Sequence, residues 1–214
     1  STNGGATWEQ ILFRATDVGC NDLSMDTTNP RILYASMWQV QRNYWNTYSG
    51  GPETSLYQTT DGGNNWSDIT NNPGMTKGIK GRFAVAASPA KPGRVWALYD
   101  GGDAPGGTGL SEGMTDLLPG TVTKTDTERG GGLFRSDNHG QTWVRVNNYA
   151  ELTVRPYYYN HIFADPQDPE TVYVLNQPFW KSVDGGRSFT HVEIPHYDNH
   201  DLWIDPGDPD RMVH

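Results

Sequence analysis

Six side chains capable of acid–base or metal chemistry fall in three places along the 214-residue chain: Asp22, His161, and the run His196, Asp198, His200 and Asp201. Imidazole and carboxylate together can bind a divalent metal, move protons, or hydrogen-bond one another as a structural network. The residue types leave all three readings open. Asp22, His161 and Asp201 are the candidates for catalysis, and His196, His200 and Asp201 the candidates for a metal. His196 and His200 are four apart, but the segment does not read as a helix, so the pairing of two histidines on one helix face does not transfer.

A second group suits ligand contact. Trp38-Gln-Val-Gln-Arg-Asn-Tyr-Trp-Asn-Thr-Tyr48 interleaves aromatics with amide and guanidinium groups. Flat rings and planar hydrogen-bonding groups are what a sugar or a peptide backbone needs. Trp38, Gln41, Arg42, Tyr44 and Trp45, joined by Arg155, Tyr157, His196 and His200, form the candidate binding set. In the alternative reading, Trp38 and Trp45 fill gaps between structural units.

The elements that must position these residues are repeats. Ser1-Thr-Asn-Gly-Gly-Ala-Thr-Trp8, Thr59-Thr-Asp-Gly-Gly-Asn-Asn-Trp66, Ser136-Asp-Asn-His-Gly-Gln-Thr-Trp143 and Ser182-Val-Asp-Gly-Gly-Arg-Ser-Phe189 are four copies of one box. Its Asp or Asn (Asn3, Asp61, Asn138, Asp184) can accept amide protons just ahead, glycine supplies the positive φ of a hairpin, and the aromatic (Trp8, Trp66, Trp143, Phe189) folds back as a plug. Interleaved with the boxes are proline turns at 25–34, 87–96, 164–173 and 204–213, each between apolar runs. Proline cannot donate to a ladder, so the expectation puts it in the turns and not the strands.

One unit thus reads strand, proline turn, strand, variable loop, strand, box, strand. The fold expected is all-β: a partial β-propeller of about three to three and a half four-stranded antiparallel blades, at 18–70, 81–147 and 158–193, with partial strands at 1–14 and 200–214. The whole of 1–214 reads as a fragment of one propeller domain, completed by further blades from the parent chain or another copy. Aligned on the proline turns, Asp22, Ala84, His161 and Asp201 are equivalent. Inner strands line a propeller's channel, so Asp22, His161, His200 and Asp201 are expected near its mouth, with His196 and Asp198 close by. Proline turns and boxes share one face, which leaves the irregular loops, and with them function, to the other.

The four boxes resemble the Asp-box, or bacterial neuraminidase repeat, of sialidases, xyloglucanases and sortilin-type receptor domains. The longer wording, including Met37-Trp-Gln-Val-Gln-Arg42, Arg155-Pro-Tyr-Tyr-Tyr-Asn-His161 and His196-Tyr-Asp-Asn-His-Asp-Leu-Trp-Ile-Asp205, is similar to large exported bacterial proteins described as sortilin-like or as glycosyl hydrolases. The resemblance implies an extracellular or periplasmic location. In those families the box serves the scaffold rather than the active site.

Composition narrows the rest. Twenty-five acidic against 16 basic residues give a net charge of −9, and the basic residues are scattered, which sets nucleic acid aside as a partner. No apolar run is long enough to span a bilayer. Cys20 is expected as a small buried core residue. Residues 100–131 are glycine-rich; Glu112, Asp116 and Glu128 lie there without a partner to pair with in sequence. Three functions remain: a binding module for glycan or peptide without a required cofactor, a sialidase- or xyloglucanase-like glycoside hydrolase, and a structural part of a larger surface assembly.

Overall fold

A computed structural model describes residues 1–45, 47–101 and 130–214. Their regular structure is almost entirely strand. The first sheet orders β1 (Val18–Met25), β2 (Leu33–Arg42), β4 (Ser55–Thr59) and β5 (Ser67–Asp68), with β3 (Thr47–Ser49) paired to the far end of β2. The second is β6 (Lys80–Ala87), β7 (Val95–Gly101), β8 (Gly132–Ser136) and β9 (Val144–Asn147). The third is β10 (His161–Ala164), β11 (Val172–Leu175), β12 (Phe179–Ser182) and β13 (Thr190–Val192). A two-stranded sheet of β14 (Trp203–Asp205) and β15 (Asp208–Val213) follows. Every pairing is antiparallel and joins neighbours in each meander.

Strand periodicity builds the stack. In β6, Phe83, Val85 and Ala87 join Tyr34, Leu56 and Trp143 in one core, while Ala84 and Ala86 on the opposite side join Leu133, Ile162, Val172 and Trp180 in the next. β7 divides the same way, Val95, Ala97 and Tyr99 to the first sheet and Trp96 and Leu98 to the third. The third and fourth sheets meet through Tyr173, Leu175, Phe179 and Leu202. Because the second sheet is covered on both faces, β6 is buried at all eight positions and carries no polar alternation.

The boxes close identically. The first hydroxyl donates to the Oδ1 two residues on: Ser1 to Asn3 at 3.0 Å, and Thr59 to Asp61, Ser136 to Asn138 and Ser182 to Asp184 at 2.8 Å. It accepts the amide four residues on, from Gly5, Gly63, Gly140 and Gly186. The same Oδ1 accepts the amide of the seventh residue, at 2.9–3.0 Å in all four. Box three sets His139 at φ 57° where the others have glycine, at a cost near 1 kcal/mol. Amides of Gly62, His139 and Gly185 reach the proline-turn carbonyls of Arg31, Gly93 and Glu170, so both kinds of turn lie at one end of each sheet.

Several expectations need correcting. Residues 8–14 form no strand: an outer strand takes its bonds from a third strand, and none of the described residues lies beside it. Leu12 still packs against the cluster of Ala35, Met37 and Tyr57, and Arg14 pairs with Glu53 at 2.7 Å, but Trp8 is 80% exposed and plugs nothing. Cys20 is exposed, at an irregularity in the β1–β2 register between Cys20 and Asp22. The loop after Trp38 is largely ordered, since β2 runs on to Arg42 and turns back as a hairpin with β3. Pro209 lies inside β15, where an edge strand tolerates a missing donor. Within 200–214 the first strand starts at Trp203 and has a partner in β15. Glu112, Asp116 and Glu128 fall outside the described residues.

Candidate functional site

The inner strands of all four sheets surround a cavity of about 520 Å³, lined mainly by apolar side chains such as Val85, Ile162, Phe163, Leu202 and Ile204. Asp22 is its one carboxylate. The irregularity in β1 turns this side chain across to the neighbouring sheet, where Oδ2 accepts the Val85 amide at 2.8 Å and Oδ1 accepts the Leu23 amide at 2.9 Å. Burial pushes the carboxyl up to about 6, against the pull of those amides and of Arg82. Asparagines stitch alongside: Asn21 Nδ2 donates to the Phe83 carbonyl at 2.8 Å and Asn160 Nδ2 to that of Arg82 at 2.7 Å.

Arg82 of β6 lies outside that lining, toward the loop end of the inner strands. It is 9% exposed, its guanidinium lies 5.5 Å over the Trp38 ring, and Nη1 donates to the Tyr158 carbonyl at 3.2 Å. Its buried Nε has no hydrogen-bond partner among the described residues. Asp22 and Asp100 act on it electrostatically. Its charge is felt in turn by His161: burial, then Arg82 and His200, hold the His161 imidazole down to about 4, and Asp201 pulls the opposite way. His161 is therefore neutral at neutral pH, a donor and an acceptor together. Asp201 Oδ1 accepts the Leu202 amide at 2.9 Å, as Asp22 accepts that of Leu23.

Beside Arg82 runs a belt of flat groups. Arg155 sits at φ 49°, and its carbonyl takes the amides of Tyr158 and Tyr159, a turn that exposes Tyr158, half-buries Tyr157 and buries Tyr159. Arg42 lies 5.8 Å over the Tyr158 ring; Tyr157 and Tyr158 are 4.6 Å apart, Tyr158 and Tyr159 5.9 Å, and Tyr159 and His200 4.9 Å. Burial and a hydrogen bond with Asp198 raise the Tyr159 phenol. At the tip of the β2–β3 hairpin Tyr44 is fully exposed and Trp45 79% exposed, 6.5 Å apart, while Gln41 is exposed opposite Tyr48.

The candidates therefore divide. Asp22 and His161 both interact with Arg82, His200 and Asp201 act on His161, and Arg42, Arg155 and Tyr157 join the belt. Trp38 is not an open platform, because Arg82 covers it. His196 turns away, Nδ1 3.1 Å from the Tyr197 carbonyl and its ring stacked 5.0 Å from His214. The proposed metal set of His196, His200 and Asp201 is accordingly not assembled, and among the described residues no three His, Cys, Asp or Glu side chains are grouped to hold an ion. From the sequence Arg82 stands only among the loop-face arginines, with Arg14, Arg42 and Arg155, without an assigned role, and Tyr158 and Tyr159 are not among the candidates. The signals were the tyrosine run itself and the place of Arg82 two residues before the aligned column.

Over 87% of its length the chain superposes on a GH74 enzyme from Niastella koreensis at a TM-score of 0.53 and 18% identity. The fold is a β-propeller. The chain spans 24% of that enzyme, about a quarter of its length. It is also similar to YCF48 from Cyanidioschyzon merolae (TM-score 0.44, 15% identity, 87% of this chain and 43% of that one). A GH74 xyloglucanase from Xanthomonas campestris gives 0.43 at 16% identity, over 89% of this chain and 34% of that one. No protein-family model and no curated protein matches the chain. No helix among the described residues is long and apolar enough to cross a membrane.

Proposed function

We propose that this propeller is a binding module that holds a glycan on its loop face. One observation carries the reading: guanidinium and aromatic planes from blade one, blade two and the 155–161 segment form a single belt beside the channel mouth. Sugar rings lie on aromatic faces while their hydroxyls pair with planar polar groups, and Tyr44, Trp45, Arg42 and Tyr158 supply both. Neutral His161 and the buried Arg82 close the floor. The four boxes support reading the chain as one of the exported Asp-box propellers, sortilin-like or glycosyl-hydrolase-like, with further blades from its parent or another copy as partners. A peptide is the competing occupant of the same belt.

A second reading, glycoside hydrolysis, is favoured by Asp22, whose carboxyl near 6 suits a proton donor. Both of its oxygens already accept main-chain amides, which makes it a staple between blades one and two first. Calorimetric titration of the chain with xyloglucan, sialoside and mannan oligosaccharides, with sugar release measured in the same samples, separates the readings. Saturable binding without release is expected, and replacing Arg42, Tyr44 and Trp45 together by Ala should weaken it at least about tenfold. Unchanged affinity in that variant sinks the surface. Release that Asp22→Asn abolishes would replace binding by hydrolysis.

A further inference from the structure

Basic residues that are scattered in sequence are gathered in space on the box end, at the rim between blades two and three. Arg94 is buried there; Nε donates to Asp137 at 2.6 Å, and Nη1 donates to the Pro169 carbonyl at 2.7 Å and pairs with Glu170. Lys91 lies 3.2 Å from Asp137, and Arg135 lies 3.4 Å from Asp137 and 3.5 Å from Glu170. Two carboxylates are thus shared by three cations. Beside this network opens a cavity of about 410 Å³, to which β8, β9 and box four contribute Arg135, Arg145 and Arg187. Asp137, which Arg94, Lys91 and Arg135 neutralise, lines it too, with Asn138 and Thr142 of box three, the exposed Val144, and Val146. The Arg187 guanidinium donates to the Asp184 carbonyl at 2.6 Å and forms no ion pair among the described residues. Thr142 Oγ1 accepts Asn138 Nδ2 at 2.8 Å and keeps its own proton to donate to a ligand.

We propose that this groove is a second binding site, for an acidic oligosaccharide whose carboxylate or sulfate is taken by Arg187, with Arg135 and Arg145 adding positive charge to the wall. Arginine forks match such oxyanions in pairs of parallel hydrogen bonds. The volume suits a short saccharide, and a hydroxyl, an amide and an apolar strand edge line it as a sugar ring requires. A positive groove on a chain of net charge −9 is selective by length. Screening confines its field to about 10 Å at 0.1 M salt, so a short acid feels the groove and a long polyanion also meets the acidic remainder. The site lies at the opposite end from the aromatic belt and is independent of it.

The test titrates the chain with a galacturonate tetrasaccharide, a sulfated disaccharide, an uncharged tetrasaccharide and a single-stranded oligonucleotide. One or both acidic saccharides should saturate, which also tells carboxylate from sulfate; affinity should fall several-fold between 50 and 200 mM salt. Arg187→Glu should weaken binding at least about tenfold at an unchanged melting temperature. Binding should survive the combined Tyr44 and Trp45 replacement. No saturation by either acidic saccharide, undiminished affinity in Arg187→Glu, or tighter binding of the oligonucleotide would each overturn the assignment.

Discussion

Burial pushes the Asp22 carboxyl up to about 6 and the His161 imidazole down to about 4, and both feel the charge of Arg82. The folded chain therefore holds the Asp22 proton more tightly than the unfolded chain does, and that contribution to stability is lost as pH rises from about 4 to 6. His161 has the reverse sign: the unfolded chain binds its proton more readily, and stability is lost as pH falls from about 6.5 to 4. The two nearly cancel over one window. Denaturation between pH 4 and 7 should show the balance broken in either variant. Relative to the parent, Asp22→Asn should lose about 1–2 kcal/mol more at pH 4.5 than at pH 7, and His161→Gln should gain by a similar amount. Parallel profiles for all three proteins would show that neither group is buried as described.

At the scale of elements, the box and its plug are separable. All four boxes make the same side-chain network, yet Trp143 is buried in the core between blades one and two while Trp8 is largely in solvent. Trp143→Ala should cost about 3–5 kcal/mol in chemical denaturation and Trp8→Ala less than about 0.5. Equal losses would mean that the hairpin, not its packing, sets stability. This division explains what could be read from the chain in advance. Boxes and proline turns are short-range chemistry, with donors and acceptors within eight residues, and they were legible with the meander they imply. The run-on of β2 to Arg42 carries no glycine turn signal, and it was not. Arg82 over Trp38 joins residues on different blades, so no local pattern announces it. The gathering of Arg94, Arg135, Arg145 and Arg187 is a product of blade packing and equally invisible in the linear chain.

For the whole molecule, blade two is clamped between two cores, whereas β14 and β15 pack on one side. Hydrogen exchange should accordingly be slowest in β6, β7 and β8 and fastest in β15, with protection in blade one and blade three between them. Uniform protection across the sheets would contradict this layering. The self-sufficiency of the boxes bears, finally, on the order of events during folding. A network complete within eight residues, and intact in box one without a packed tryptophan, closes a loop whose search is on the order of 10–100 ns. Each hairpin can then settle its register within microseconds, before any blade meets its neighbour, so that the slow step is left to docking sheets already aligned.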